Sequence, residues 1–184
     1  MKSEIYFDFE NGNFYESSKE KIVFSEKKYK DLKSIFLNPE DERLDAERVL
    51  YEVACHLTEE KEGDLSFGVT KIYPGTVNNE FFMTKGHYHE KMSRTEYYWG
   101  IKGRGLLLLL NKNGECRAEL VEKNSLNYIP RDTAHRLVNI SDEEFLVGAC
   151  WNTDAGHDYD TIQKYGFPMR VFKIENGYEI IEKK

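Results

Sequence analysis

The chain has 184 residues, 40% of them hydrophobic and 32% charged, with a net charge of −7 at pH 7. That length suits one domain, and a chain of this size buries roughly 70% of its unfolded surface without disulfide staples. The acidic balance argues against coating nucleic acid or an anionic membrane, so an anionic ligand would need a local cationic feature.

Residues 1–48 read as an arm, rich in Lys, Glu and Ser. The opening residues hold no apolar h-region, so no secretory signal is expected. Amphipathic patterning predicts helices over Lys27–Leu37 and Pro39–Leu50, the second with Asn38 as N-cap and Pro39 at the first helical position. From residue 49 the pattern becomes short apolar or alternating runs broken by turn residues, expected to form a barrel with a C-terminal extension. Strands are predicted over Tyr51–Leu57, Ser66–Tyr73, Phe81–Lys85, Glu96–Lys102, Gly105–Asn111, Glu115–Val121, Leu126–Ile129, His135–Asn139 and Phe145–Trp151. Asn113-Gly114 signals a hairpin, since both residues tolerate positive φ. The run Leu106–Leu110 is far too short to cross a bilayer and reads as a buried strand. A short helix over His157–Tyr165 and a last hairpin, Arg170–Ile174 with Tyr178–Ile181, end the chain.

Many short, closely spaced strands argue for an all-β antiparallel barrel or jelly roll. The aromatic content of 14% fits pleated, half-buried surfaces. Cys55, Cys116 and Cys150 are odd in number and widely spaced, without a CxxC pair, and read as reduced thiols of a cytoplasmic protein. Jelly-roll edges are commonly closed by pairing, so a homodimer is expected.

The chemistry concentrates in His87-Tyr88-His89, followed by Glu96 and His135. In extended backbone His87 and His89 share one face. Glu96 opens an otherwise apolar strand, where an unpaired carboxylate is strongly disfavoured. Three imidazoles and a carboxylate suit one divalent ion, Fe(II), Mn(II), Ni(II) or Zn(II), with coordination positions left open. No P-loop or Rossmann fingerprint is present. His56 has no motif around it and reads as structural.

Gly86-His87-Tyr88-His89, Glu96 and Gly103 resemble the first cupin motif; Pro130, His135 and Asn139 resemble the second. Asn124 and Asp132 stand where generic cupins have glycine, and both types tolerate left-handed backbone. Six residues separate His89 from Glu96, against three or four in generic cupins. That gap, the lead-in Phe81–Gly86, the stretches Glu60–Leu65 and Tyr73-Pro74-Gly75, and Asp154–Tyr159 resemble the cupin-type, metal-dependent phosphoglucose isomerases. Arg131-Asp132-Thr133 departs from that family's usual proline and aromatics. The resemblance implies a double-stranded β-helix jelly roll and interconversion of glucose 6-phosphate and fructose 6-phosphate in glycolysis and gluconeogenesis, with Fe(II) favoured and no redox cofactor. It implies His87, His89, Glu96 and His135 as ligands, and Tyr51, Thr70, Thr84 and Gly86 as phosphate or sugar contacts. Tyr98 shares the face of Glu96; His157 and Tyr159 would form a lid. Glu96 is the expected general base for proton transfer through an enediol, a hydride shift being the rival route. A cupin Fe(II) dioxygenase and a non-catalytic sugar-binding cupin are the competing readings.

Overall fold

The computed structural model describes residues 5–15, 22–58 and 61–182. Fifteen strands and two short α-helices follow one another among these residues. They are β1 (Phe7–Asp8), β2 (Asn13–Phe14), β3 (Ile22–Lys28), α1 (Tyr29–Leu32), β4 (Val49–His56), β5 (Leu65–Ile72), β6 (Thr76–Val77), β7 (Glu80–Phe81), β8 (Glu96–Lys102) and β9 (Arg104–Asn111). Then come β10 (Cys116–Glu122), β11 (Leu126–Ile129), β12 (Thr133–Asn139), β13 (Phe145–Asn152), α2 (Asp160–Tyr165), β14 (Met169–Ile174) and β15 (Gly177–Glu182). Every pair of named strands is antiparallel. Among the described residues no helix is long and apolar enough to cross a membrane.

The architecture is an all-β jelly roll. A six-stranded sheet runs β11-β8-β13-β5-β4-β3, and a three-stranded sheet runs β10-β9-β12. One hydrophobic cluster draws on both: Leu50, Ile72, Val147 and Tyr98 from the first, Leu107, Leu109 and Leu137 from the second. The leucine run is buried along its whole length, as an unbroken apolar strand requires. The outer face of the large sheet is covered by the β1–β2 hairpin, whose Phe7 and Phe14 meet Phe67 edge-on at 4.9 and 5.8 Å. A smaller sheet, β15-β14-β7-β6, holds the C-terminal hairpin.

The arm departs from its expected form. Ile22–Lys28 is a strand paired with β4, so residues assigned to the arm extend the large sheet. The predicted Lys27–Leu37 helix shrinks to α1 and a 3-10 turn, Lys33–Ile35. An edge strand bonds through its backbone and needs no apolar face, so its Glu and Lys residues resemble a helix surface. The predicted Pro39–Leu50 helix is absent. There the Asp41 carboxylate binds the Arg43 guanidinium and the amides of Arg43 and Asn78, and such local bonding competes with the helical ladder. The predicted strand Phe81–Lys85 reduces to β7 and isolated bridges, Met83 with Val138 and His87 with His135. In the β9–β10 turn only Gly114 takes positive φ, and the Asn111 side chain accepts the Asn113 and Glu115 amides. Asn124 and Asp132 do adopt left-handed backbone, at φ 72° and 61°. The predicted helix from His157 begins at Asp160, and Glu60 lies outside the described residues.

Candidate metal centre and its cavity

Glu96 is the first residue of β8, where the strand leaves the loop that follows His89. The His87–His89 segment is pinned on both sides. His87 and His135 exchange backbone hydrogen bonds at 3.3 and 3.1 Å, while Tyr88 and Asp158 exchange theirs at 3.2 and 2.8 Å. The pleat therefore turns His87 and His89 the same way, toward His135 on β12. Ligand nitrogens of the three imidazoles lie within 4.8 Å of one another. Glu96 Oε2 lies 3.2 Å from His89 Nε2 and 3.3 Å from His135 Nε2. Ligands about 2.1 Å from one ion sit about 3 Å apart, so the spacing fits a shared metal.

Two further observations fit an ion here. The Arg94 carbonyl can only accept, so the His89 Nδ1 proton points to it at 3.2 Å. That leaves Nε2 as the ring atom of His89 that faces the Glu96 carboxylate, where a cation could be shared between them. His135 is 2% exposed, and neither of its ring nitrogens has a hydrogen-bond partner. A buried polar group left so costs free energy unless something binds it. Burial, then the imidazoles of His135, His157 and His89, holds His87 well below the usual histidine range. Burial alone would raise Glu96, but its contacts with His135 and His89 outweigh that and keep it below the usual carboxylate range. His87 therefore rests as neutral imidazole and Glu96 as carboxylate, the forms that ligate.

The centre opens on a cavity of about 270 Å³. Its wall is the inner face of the large sheet, where Glu96 lies opposite Trp151, Tyr98 opposite Ala149, and Thr70 opposite Val53. Tyr51, Thr70, Thr84, Gly86, Tyr98, His157 and Tyr159 all line it, with His87, Glu96 and His135. His89 sits behind, 4% exposed. The Thr84 hydroxyl accepts the Leu137 amide at 3.0 Å, which leaves its own proton to donate. Burial, then the Glu96 charge, pushes the Tyr98 phenol well above its usual range, so it remains a donor. His157 and Tyr159 stack 5.7 Å apart, nearly parallel at 5°, and stand 4.5 and 5.3 Å from the His87 ring. Burial holds His157 below the usual range.

Lys27, Cys55 and Trp151 also line the cavity, and sequence reasoning did not find them. Lys27 lies opposite Tyr51 on the edge strand, and its ammonium has no ion pair or hydrogen bond among the described residues. Among the described lining residues it is the one lysine or arginine. Reading β3 as a strand would have revealed it, because Val23, Ser25 and Lys27 then share the inward face. Burial raises the Cys55 thiol to about 11, so it stays protonated.

Residues 26–184 match the family model described as Glucose-6-phosphate isomerase (GPI). The chain belongs to the cupin-type glucose-6-phosphate isomerase family. The glucose-6-phosphate isomerase of Thermococcus litoralis is 41% identical over 181 residues, covering 97% of this chain and 92% of that one. That of Pyrococcus horikoshii is 46% identical over 173 residues, covering 92% and 88%. Among solved structures, an oxalate oxidase in complex with the substrate analogue glycolate gives a TM-score of 0.48 at 14% identity, covering 77% of this chain and 56% of that one.

Proposed function

We propose that this chain interconverts glucose 6-phosphate and fructose 6-phosphate, as an aldose–ketose isomerase of glycolysis and gluconeogenesis. The observation that carries the reading is the convergence of Glu96 with the imidazoles of His89 and His135 at a cavity of about 270 Å³. His87, His89, His135 and Glu96 hold one divalent ion, Fe(II) by preference. When bound, the ion polarises a sugar oxygen as a Lewis acid. Glu96, ionised at neutral pH, takes the proton from C2 of the aldose and returns it to C1, while the hydroxyl proton of O2 passes to O1, so that the double bond moves from C1–O to C2–O. Tyr98, held protonated, donates a hydrogen bond toward a reacting oxygen. Tyr51, Thr70, the Thr84 hydroxyl and the Gly86 amide receive the phosphate, with Lys27 as a mobile cation at the edge strand. His157 and Tyr159 cover the mouth and exclude water. The protein works in the cytoplasm as a homodimer.

Stripping the metal with a chelator, restoring single divalent ions and assaying fructose 6-phosphate conversion tests this. Restored turnover with one or more ions is expected. No conversion with any ion ends the isomerase reading. Oxygen uptake with a small organic substrate would instead favour a dioxygenase; sugar phosphate binding without turnover would favour a binding protein.

A further inference from the structure

The stretch from Met83 to His87 runs antiparallel to β12, but its register slips. Met83 pairs with Val138 and His87 with His135, so four steps on one side answer three on the other. The surplus residue makes a β-bulge, a device that re-aims groups beside a site. Gly86 sits in it at φ 75°. A Cβ there would lie 2.8 Å from the Phe167 ring and 3.0 Å from the His135 carbonyl oxygen, so the position also has no room for a side chain.

The bulge frees ladder groups, and side chains take two of them. The Leu137 amide goes to the Thr84 hydroxyl at 3.0 Å. The Lys85 carbonyl is gripped by the Arg136 guanidinium, Nη2 at 2.6 Å and Nε at 3.3 Å. The Gly86 amide has no partner among the described residues, although Gly86 lines the cavity. Arg136 is itself unusual. It is 3% exposed, its guanidinium lies 4.4 Å from the Phe167 ring centroid, and it has no ion pair among the described residues. The carboxylate nearby, Glu80, is taken by Arg170 at 2.7 Å. A buried cation without a carboxylate is costly, and what it holds is the one carbonyl between Thr84 and Gly86, which both line the cavity.

We propose that Arg136 is a positioning residue: by clamping the Lys85 carbonyl it fixes the bulge that offers the Gly86 amide and the Thr84 hydroxyl to an anion, and it leaves a buried positive charge behind that edge. The assignment rests on the sugar-phosphate reading of the same cavity. It also supplies a cation that a chain of net charge −7 needs if it is to bind a phosphate.

The test compares wild type, Arg136→Gln and Arg136→Lys, each loaded with metal. KM and kcat are measured with fructose 6-phosphate, and Ki with inorganic phosphate; amide hydrogen exchange at Gly86 is followed with and without phosphate. Arg136→Gln should raise KM and the phosphate Ki about tenfold, with kcat changed about threefold or less and metal content unchanged. Arg136→Lys should recover part of that loss. Phosphate should slow Gly86 exchange in wild type and fail to do so in Arg136→Gln. Wild-type KM and Ki in Arg136→Gln overturn the proposal. So does equal loss of kcat, metal content and thermal midpoint in Arg136→Lys, which would mark a merely structural residue. Should the wild type bind phosphate without isomerising, the functional reading fails while the exchange experiment still decides the clamp. If phosphate leaves Gly86 exchange unchanged in wild type, the clamp is wrong whatever the turnover.

Discussion

Glu96 carries two demands that pull against each other. A carboxylate shared with a cation is a weaker base, yet the same contacts keep it ionised in a site 5% exposed, where burial would otherwise protonate it. Glu96→Gln preserves shape and one ligand oxygen while removing the proton acceptor. Turnover should fall by about 10²–10⁴ with much of the metal retained, read by kcat beside metal content. Wild-type turnover in that variant sinks the base assignment. Lys27 stands at the other extreme of exposure. Lys27→Met should cost up to about fivefold in kcat/KM for fructose 6-phosphate, and the gap should close as salt is added. No salt dependence would remove Lys27 from substrate capture. These two residues also differ in how far the sequence reveals them. Glu96 is legible because a carboxylate opening the apolar run Tyr97-Tyr98-Trp99 has no cheap structural explanation. Lys27 is one lysine among many in a polar stretch, and only the pairing of β3 with β4 turns it inward.

The segment that carries His157 and Tyr159 is held as a built element. The Asp154 carboxylate, 5% exposed, binds Arg94 through Nε at 2.9 Å and Nη2 at 2.7 Å, and Lys91 at 2.7 Å. Gly156 crosses Glu90 at φ 65°, and Asp158 accepts the Thr161 amide and hydroxyl where α2 begins. The Arg94 hydrogen bonds, then that of Lys91, hold Asp154 at about 2. Its folded value is depressed, so its stabilising contribution is complete above the ordinary value of 3.8 and is lost as pH falls toward 2. Asp154→Asn should lower kcat/KM about tenfold at neutral pH without loss of metal, through a looser cover over the cavity. Its deficit in thermal midpoint should shrink as pH drops from about 5 to about 3. A deficit that stays constant over that range would mean the ion pair does not hold the segment. At this scale the sequence was uneven. The barrel strands were legible because alternation and turn residues agree, as in β8, β9 and β13. The arm is not legible, because an exposed edge strand and a surface helix both look polar.

The leucine-rich core joins the two main sheets, and the candidate metal ligands are drawn from both. Glu96 lies on the large sheet and His135 on the small one, while His87 and His89 belong to the stretch that bridges to β12. One bound ion would therefore cross-link both sheets; without it the Glu96 carboxylate stands 3.2 and 3.3 Å from His89 Nε2 and His135 Nε2 alone. This coupling is invisible in the linear motif, which names the ligands but not the layers they come from. A bound ion would thus be a structural as well as a chemical component. An ion that binds only the folded state adds about 4 kcal/mol when free metal stands at about 1,000 times its Kd. For a domain of this length each kcal/mol moves the midpoint by about 2–4 °C, so chelation should lower Tm by about 8–16 °C. Calorimetry of the chelated and reloaded protein, with metal content measured in both, reads this directly. His135→Ala, which removes the ligand of the small sheet, should bind metal more weakly and lose most of the difference. An unchanged midpoint after verified removal of the metal would show that the sheets are held by the apolar core alone.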